Sequence, residues 1–289
     1  MTTRTDFEIE TAYCNILLDR RAMETVEIVA ERGMSICRLD REQYLEEVIK
    51  PMILKGEIDD GTRTPFDDRK LRYDKSWLHR RDSSELLVGF GVTHYKAFLD
   101  DIKRSDEENL RNQELGKKDF GDRWAYFARA PGVAVLPINR DGTIFIGERA
   151  NVEYGGFLNA VAGHLSYRDD IAEVDLYADV FRELEEEFGI QRNEVSNIRQ
   201  VGVYSHPVKG DLDFTFLVDV DKPEEYFASG KWKESVKARE HKDLVRLATM
   251  DEIQELLGTG KVPGSDRKLQ VMYSTRGALQ SVYANEIRN

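Results

Sequence analysis

Cysteine is nearly missing from this chain. Cys14 and Cys37 are its two thiols, too few for a disulfide framework, and both read as buried thiols of a reducing compartment. Long apolar runs are missing too: no stretch approaches the roughly 18 residues that mark a membrane-spanning helix. The opening Met1-Thr2-Thr3-Arg4-Thr5-Asp6 lacks the apolar core of a signal peptide. The expectation is a cytoplasmic protein with no membrane partner. Basic residues are in deficit, 42 against 54 acidic, for a net charge of −12. Non-specific nucleic-acid binding relies on phosphate neutralisation, so this balance argues against a nucleic-acid partner. It also means that an anionic substrate must be met by local Arg, Lys or metal ion. The chain shows neither an internal repeat nor a low-complexity tract. What remains is 289 residues, 40% hydrophobic and 33% charged, a globular composition with room for one large domain or two modest ones, as monomer or homodimer.

The most informative stretch is Arg182-Glu183-Leu184-Glu185-Glu186-Glu187-Phe188-Gly189-Ile190. Glu183, Glu186 and Glu187 stand at i, i+3 and i+4, on one face of a helix. At about 100° per residue, Tyr177, Phe181, Leu184 and Phe188 form an apolar stripe on roughly the opposite face. Such a helix packs on a core and presents its carboxylates outward. Like charges at this spacing repel unless something positive lies between them. Two readings stand: a solvated acidic face, or a site for a hard divalent cation, with Mg²⁺ held by carboxylates and substrate phosphates. Gly189 lies where a C-cap glycine belongs, and Arg182 is placed to orient the carboxylates.

Elsewhere the pattern predicts a helix over residues 40–55 and a polar loop over 56–68. Strands follow at 71–78 and 84–92, then a short helix at 93–102. Residues 103–123 are highly charged and read as an exposed, partly helical excursion. From Trp124 the character changes. Segments 132–138 and 143–147 flank Asn139-Arg140-Asp141-Gly142, a hairpin signal. Strands are expected at 157–162, 198–204, 212–220 and 243–248, with helices at 251–257 and 265–286. Mixed strands with helices on both sides of a sheet fit an α/β/α sandwich.

The order R-E-L-x-E-E-x-G-I resembles the second half of the Nudix box, R-E-U-x-E-E-x-G-U with U aliphatic. The first half departs from that pattern. Val174 stands where the family has Glu, and Gly163, the motif glycine, lies 19 residues ahead of Arg182, as if the loop 166–171 were an insertion. On the helical wheel Asp175 shares a face with Arg182 and Glu183 and is the stand-in for the missing acid. Upstream, Leu71-Arg72-Tyr73, Leu86 to Leu99 (with Thr93, Tyr95 and Phe98) and Gly121 to Ala128 followed by Pro131-Gly132-Val133 resemble, in order, the UDP-sugar diphosphatase branch of the family. That branch has a lengthened loop after its G-G-H phrase, as follows Ala162-Gly163-His164 here. Its box is degenerate around the Arg and the final Gly, whereas Arg182 and Gly189 are regular.

The resemblance implies an α/β Nudix sandwich over residues 124–289, with a small N-terminal α+β module over 1–123. It implies hydrolysis of a nucleoside diphosphate linked to X, most readily a UDP-sugar to UMP and a sugar 1-phosphate. The cofactor is Mg²⁺ or Mn²⁺, which neutralises the diphosphate and makes a water a usable nucleophile. Metal ligands would be Glu183, Glu186, Glu187 and the Ala162 carbonyl; ordinary glutamates are ionised at pH 7, as ligation requires. The general base is either Glu240, in the loop before the last strand, or Glu186. Glu240 has the alternative of an exposed loop acid. Arg149 either clamps a phosphate or pairs with Glu148 or Glu153. His164 either binds phosphate or sugar or is a satisfied histidine, and the same holds for His206 and His241. Tyr126 or Phe127 either stacks on a base or belongs to the core. The competing functions are an ADP-ribose or ADP-sugar pyrophosphatase and a catalytically silent Nudix-fold nucleotide sensor.

Overall fold

A computed structural model describes residues 8–11, 28–30, 69–78, 86–150, 155–165 and 174–286. The helix expected at 40–55, the loop at 56–68 and the inserted loop at 166–171 lie outside the described residues. The larger of two sheets has the order β1 (Glu8–Thr11), β9 (Val195–Ser205), β10 (Leu212–Val220), β5 (Pro131–Ile138), β6 (Ile144–Arg149), β11 (His241–Leu247). Two short strands, β7 (Leu158–Asn159) and β8 (Val161–His164), pair with β6 and β5 respectively. The β10–β5 pair is parallel and the other pairs are antiparallel, so the sheet is mixed.

Alternation along the central strand divides the core in two. Val133 and Val135 face one side with Phe214 and Phe216, under Val180, Leu184 and Phe188 of α3 (Leu176–Phe188). Ala134 and Leu136 face the other, under Ile253 and Leu256 of α5 (Met250–Thr259) and Ala278 and Leu279 of α6 (Tyr273–Glu286). The chain is therefore an α/β/α sandwich. A short helix, α4 (Glu224–Ala228), follows β10.

The second sheet has the order β2 (Ile28–Ala30), β4 (Leu86–His94), β3 (Arg69–Leu78), and leads into α1 (Tyr95–Lys103) and α2 (Asp106–Phe120). It is tied to the sandwich. Leu71 and Tyr73 belong to the α3-side core. Buried Arg72 donates from Nε to the Phe127 carbonyl (3.1 Å) and from a terminal nitrogen to that of Trp124 (2.8 Å).

Four elements differ from expectation. Residues 106–120 form a full helix, because Ser105 and Glu108 make a reciprocal capping box. The 132–147 hairpin keeps its turn, where Asn139 Oδ1 accepts from the amides of Asp141 and Thr143. Its strands pair only at Ile138–Ile144, since β5 is already flanked by β10 and β8. The expected strand at 157–162 splits into β7 and β8 as it crosses from β6 to β5. The last helix begins at Tyr273 rather than 265. Before it, the chain runs extended against β7, where Leu158 donates to the Gln270 carbonyl and accepts from the Met272 amide.

Candidate functional site

Helix α3 is fixed at both ends. Asp175 caps its N-terminus by accepting from the amides of Tyr177 and Ala178, and Gly189 ends it at φ 65°. The buried stripe is Leu176, Val180, Leu184 and Phe188, one residue round from the Tyr177–Phe181 edge expected. Tyr177 and Phe181 stay half-buried, the latter under the Arg192 guanidinium. That rotation turns two carboxylates inward. Glu183 and Glu187 are 1% and 0% exposed, and Glu186 alone of the three stays partly open. The cluster is not an outward acidic face.

Each buried carboxylate has a partner that explains it. Glu187 accepts from His241 Nε2 at 2.6 Å and from the Ala162 amide at 3.3 Å, joining α3 to β11 and β8. Glu183 pairs with Arg182 and approaches Lys237 Nζ at 3.4 Å. Arg182 also binds Asp179 (2.7 Å), Glu186 (3.3 Å) and the His164 carbonyl (3.1 Å). Asp179, one turn before Arg182, is thus the acid that holds the arginine. Asp175 serves as cap instead, because it lies at the helix boundary. Burial, with Glu187 beside it, pushes the Glu183 carboxyl up to about 7 against the opposing pull of Arg182 and Lys237. The expectation of a fully ionised Glu183 therefore holds only if further positive charge is supplied.

Beside the helix lies a cleft of about 330 Å³. Ala162, Gly163, His164, Arg182, Glu183, Arg149 and Glu240 all line it, so seven residues that the motif reading singled out meet in one space. Glu186 joins through Lys237, whose ammonium lies 2.5 Å from its Oε2. Glu187 sits behind Glu183. Gly163 has a steric reason to be glycine: a Cβ there would overlap the Glu183 carboxylate. Gly147 does the same for the His241 ring.

Arg149 is buried and pairs with Glu240 at 3.4 Å; of the two alternative partners expected, Glu148 binds Arg267 and Glu153 lies outside the described residues. Burial, then the nearby Glu187, raises the Glu240 carboxyl above the usual range, with Arg149 and Lys237 opposing. The His164 ring packs edge-on against Phe98 at 4.5 Å and Tyr95 at 5.7 Å. Although part of the residue reaches solvent, desolvation in the cleft and then Lys70, Arg149 and Arg182 push its pKa down to about 3. It is a neutral imidazole at physiological pH.

His206 lies outside the cleft lining and accepts from the amides of Val208 and Lys209. Phe127 is fully buried against Trp124, and Tyr126 donates to Asp119. Neither aromatic lines the cleft. Sequence reasoning missed Lys237, Lys70, Asp179 and Asp213. Asp179 was detectable by its i, i+3 spacing to Arg182. The two lysines come from distant segments with no local signal. Asp213 also lines the cleft, where it accepts from the Tyr273 hydroxyl at 3.1 Å and burial pushes it up to about 6.

Among the described residues no three Asp, Glu, His or Cys side chains stand ready as a metal cage. Between Glu183 and Glu186 sits the Lys237 ammonium, a positive charge held by oxygens alone. The donors there are the Glu183 and Glu186 carboxylates, the former packed against Gly163, and oxygens of this kind fit a hard divalent cation.

No protein-family profile and no curated protein matches the chain. Solved structures align with it weakly. The NUDIX domain of Shewanella oneidensis NrtR, complexed with ADP ribose, aligns over 61% of this chain and 99% of that domain at 14% identity, TM-score 0.37. A MutT NUDIX hydrolase from Burkholderia pseudomallei covers 53% of this chain and 97% of its own at 19% identity, TM-score 0.35. The MutT protein of Methanosarcina mazei Go1 covers 55% and 96% at 16% identity, TM-score 0.34. Likeness of this degree says nothing about what the cleft binds. Among the described residues no helix is long and apolar enough to cross a membrane.

Proposed function

We propose that this chain is a divalent-cation-dependent pyrophosphohydrolase of the Nudix type, cleaving a nucleoside diphosphate linked to X. A UDP-sugar is the favoured substrate, with UMP and a sugar 1-phosphate as products. One observation carries the reading. The Glu-bearing helix and four cationic side chains, Lys70, Arg149, Arg182 and Lys237, meet at one cleft. Its volume is within the range of small-ligand pockets. A diphosphate needs this combination, since its charge must be neutralised inside a protein of net charge −12.

Glu183, Glu186, Glu187 and the Ala162 carbonyl would hold Mg²⁺ or Mn²⁺. When bound, the cation neutralises phosphate charge and lowers the pKa of water. Arg182 keeps Glu183 and Glu186 aligned, and His241 keeps Glu187 aligned. Arg149 offers a planar fork for phosphate oxygens. Glu240, with a raised pKa and a place in the lining, is the general base. Neutral His164 donates a hydrogen bond without adding charge. In this reading residues 1–123 are the module that walls the cleft, through Lys70, Tyr95 and Phe98, and residues 124–289 the hydrolase domain of a cytoplasmic enzyme.

The preference for uridine and sugar rests on the N-terminal phrases, whereas the metal chemistry rests on the cleft. A panel of UDP-glucose, UDP-galactose, ADP-ribose, NADH and a dinucleoside polyphosphate, each with Mg²⁺ or Mn²⁺, separates the two. Released UMP with the UDP-sugars is expected. Turnover of ADP-ribose alone would overturn the substrate assignment and leave the chemistry standing. Nucleotide binding without turnover of any substrate would indicate a sensor.

A further inference from the structure

The glutamate cluster carries its own counter-cation. Lys237 comes from the turn before β11 and sets its ammonium 2.5 Å from Glu186 Oε2 and 3.4 Å from Glu183 Oε2. Its backbone is anchored. The Lys237 amide donates to the Glu186 carbonyl at 2.6 Å, and Ser235 Oγ donates to that of Glu187 at 2.7 Å. Trp232 and Ala238, on either side, are buried. The side chain is held more loosely: it is 34% exposed, lines the cleft and hangs on a flexible four-carbon stem. Arg182 has no such freedom, because Asp179 and the His164 carbonyl also bind its guanidinium. A divalent cation that takes Glu183 and Glu186 must therefore take the place of the lysine and not of the arginine.

We infer that Lys237 is an exchangeable counter-ion, neutralising Glu183 and Glu186 until a divalent cation displaces it, and then turning into the cleft to bind a diphosphate oxygen. The inference rests on the proposed metal-dependent function. It links the two ligands: the cation releases the ammonium that the phosphate then takes, so each strengthens binding of the other. Lys237 is in this sense a positioning residue toward the cation and a substrate-binding residue toward the phosphate.

Mn²⁺ binding, read as loss of the free-ion paramagnetic resonance signal, tests this without turnover. Lys237→Met is expected to bind Mn²⁺ on the order of tenfold more tightly than wild type, because the competing charge held by two carboxylates is gone. Lys233→Met removes the same charge four residues away, where the lysine lies over Trp232; its affinity should stay within about twofold of wild type. Lys237→Arg keeps the charge and should match wild type. With UDP-glucose, Lys237→Met should raise KM more than it lowers kcat. Lys237→Gln, which still donates to Glu186, serves if the Met variant does not fold. Equal Mn²⁺ affinity for wild type and both neutral variants, beside Mn²⁺-dependent hydrolysis by wild type, would overturn the role of Lys237 alone. Neither Mn²⁺ binding nor hydrolysis by any of the proteins would overturn the functional reading and this inference together.

Discussion

A methyl group at position 163 would occupy the space of the Glu183 carboxylate. Gly163→Ala must therefore displace either the β8 backbone or Glu183. We expect a stability loss of about 1–3 kcal/mol, the usual range for overpacking, and a much larger relative loss of hydrolysis. Thermal melts and kcat/KM measured on the same preparation check this; a variant with full activity would contradict the steric account. Glu240 sets a pH dependence. Its carboxyl is raised by burial and by Glu187, and a general base works ionised. The acid limb of kcat/KM should then lie above the ordinary glutamate range, near 4.3, and vanish with the activity in Glu240→Gln. The stability effect has the opposite sense to that of a salt-bridged acid. The folded state holds the proton to higher pH than the unfolded chain, so stability falls as pH rises through that window. At this scale much of the site was legible: the spacing in 182–190 named Glu183, Glu186 and Glu187, and family position named Ala162, His164 and Glu240. Lys237 and Lys70 were not, since they reach the cleft only through tertiary folding.

The elements show where local pattern suffices and where packing overrides it. The strand expected at 212–220 is β10 residue for residue, because its apolar run is flanked by both central neighbours. Hairpin chemistry at Asn139–Gly142 closed the turn, yet strand competition for β5 opened the pairing, and no local signal reports that competition. Helix α2 is legible only in part, because its composition is charged. Its stability comes from Ser105, whose hydroxyl is the acceptor for the Glu108 amide and whose own amide donates to the Glu108 carboxylate. Ser105→Ala should cost about 1 kcal/mol, seen as a lowered melting temperature or faster amide exchange in residues 106–109. An unchanged exchange pattern would mean that tertiary contacts hold this helix. Gln113, donating to the carbonyls of Pro207 and Val208, and buried Asn109, donating to that of Asp101, are contacts that would do so.

At the scale of the molecule, the N-terminal residues are structural parts of the sandwich and of the cleft. Strand β1 extends the main sheet beside β9, Leu71 and Tyr73 complete the α3-side core, and Lys70, Tyr95 and Phe98 line the cleft. A fragment of residues 124–289 should lose cooperative unfolding and expose the β9 edge to self-association. A monomeric, cooperatively melting fragment with full activity would contradict this. The sandwich class was legible from strand and helix order, whereas the interlock of the N-terminal strands was not, since strand pairing across more than a hundred residues leaves no periodic trace. The function proposed above has the carboxylates of α3 run cation-dependent diphosphate chemistry. Its most direct measurement is UMP release from UDP-glucose by wild type and Glu186→Gln, with Mg²⁺, with Mn²⁺ and with chelator. Cation-dependent release by wild type is expected, with its loss, by at least about a hundredfold, in a variant that melts like wild type. Equal release by the two proteins, or release that persists in chelator, would contradict it.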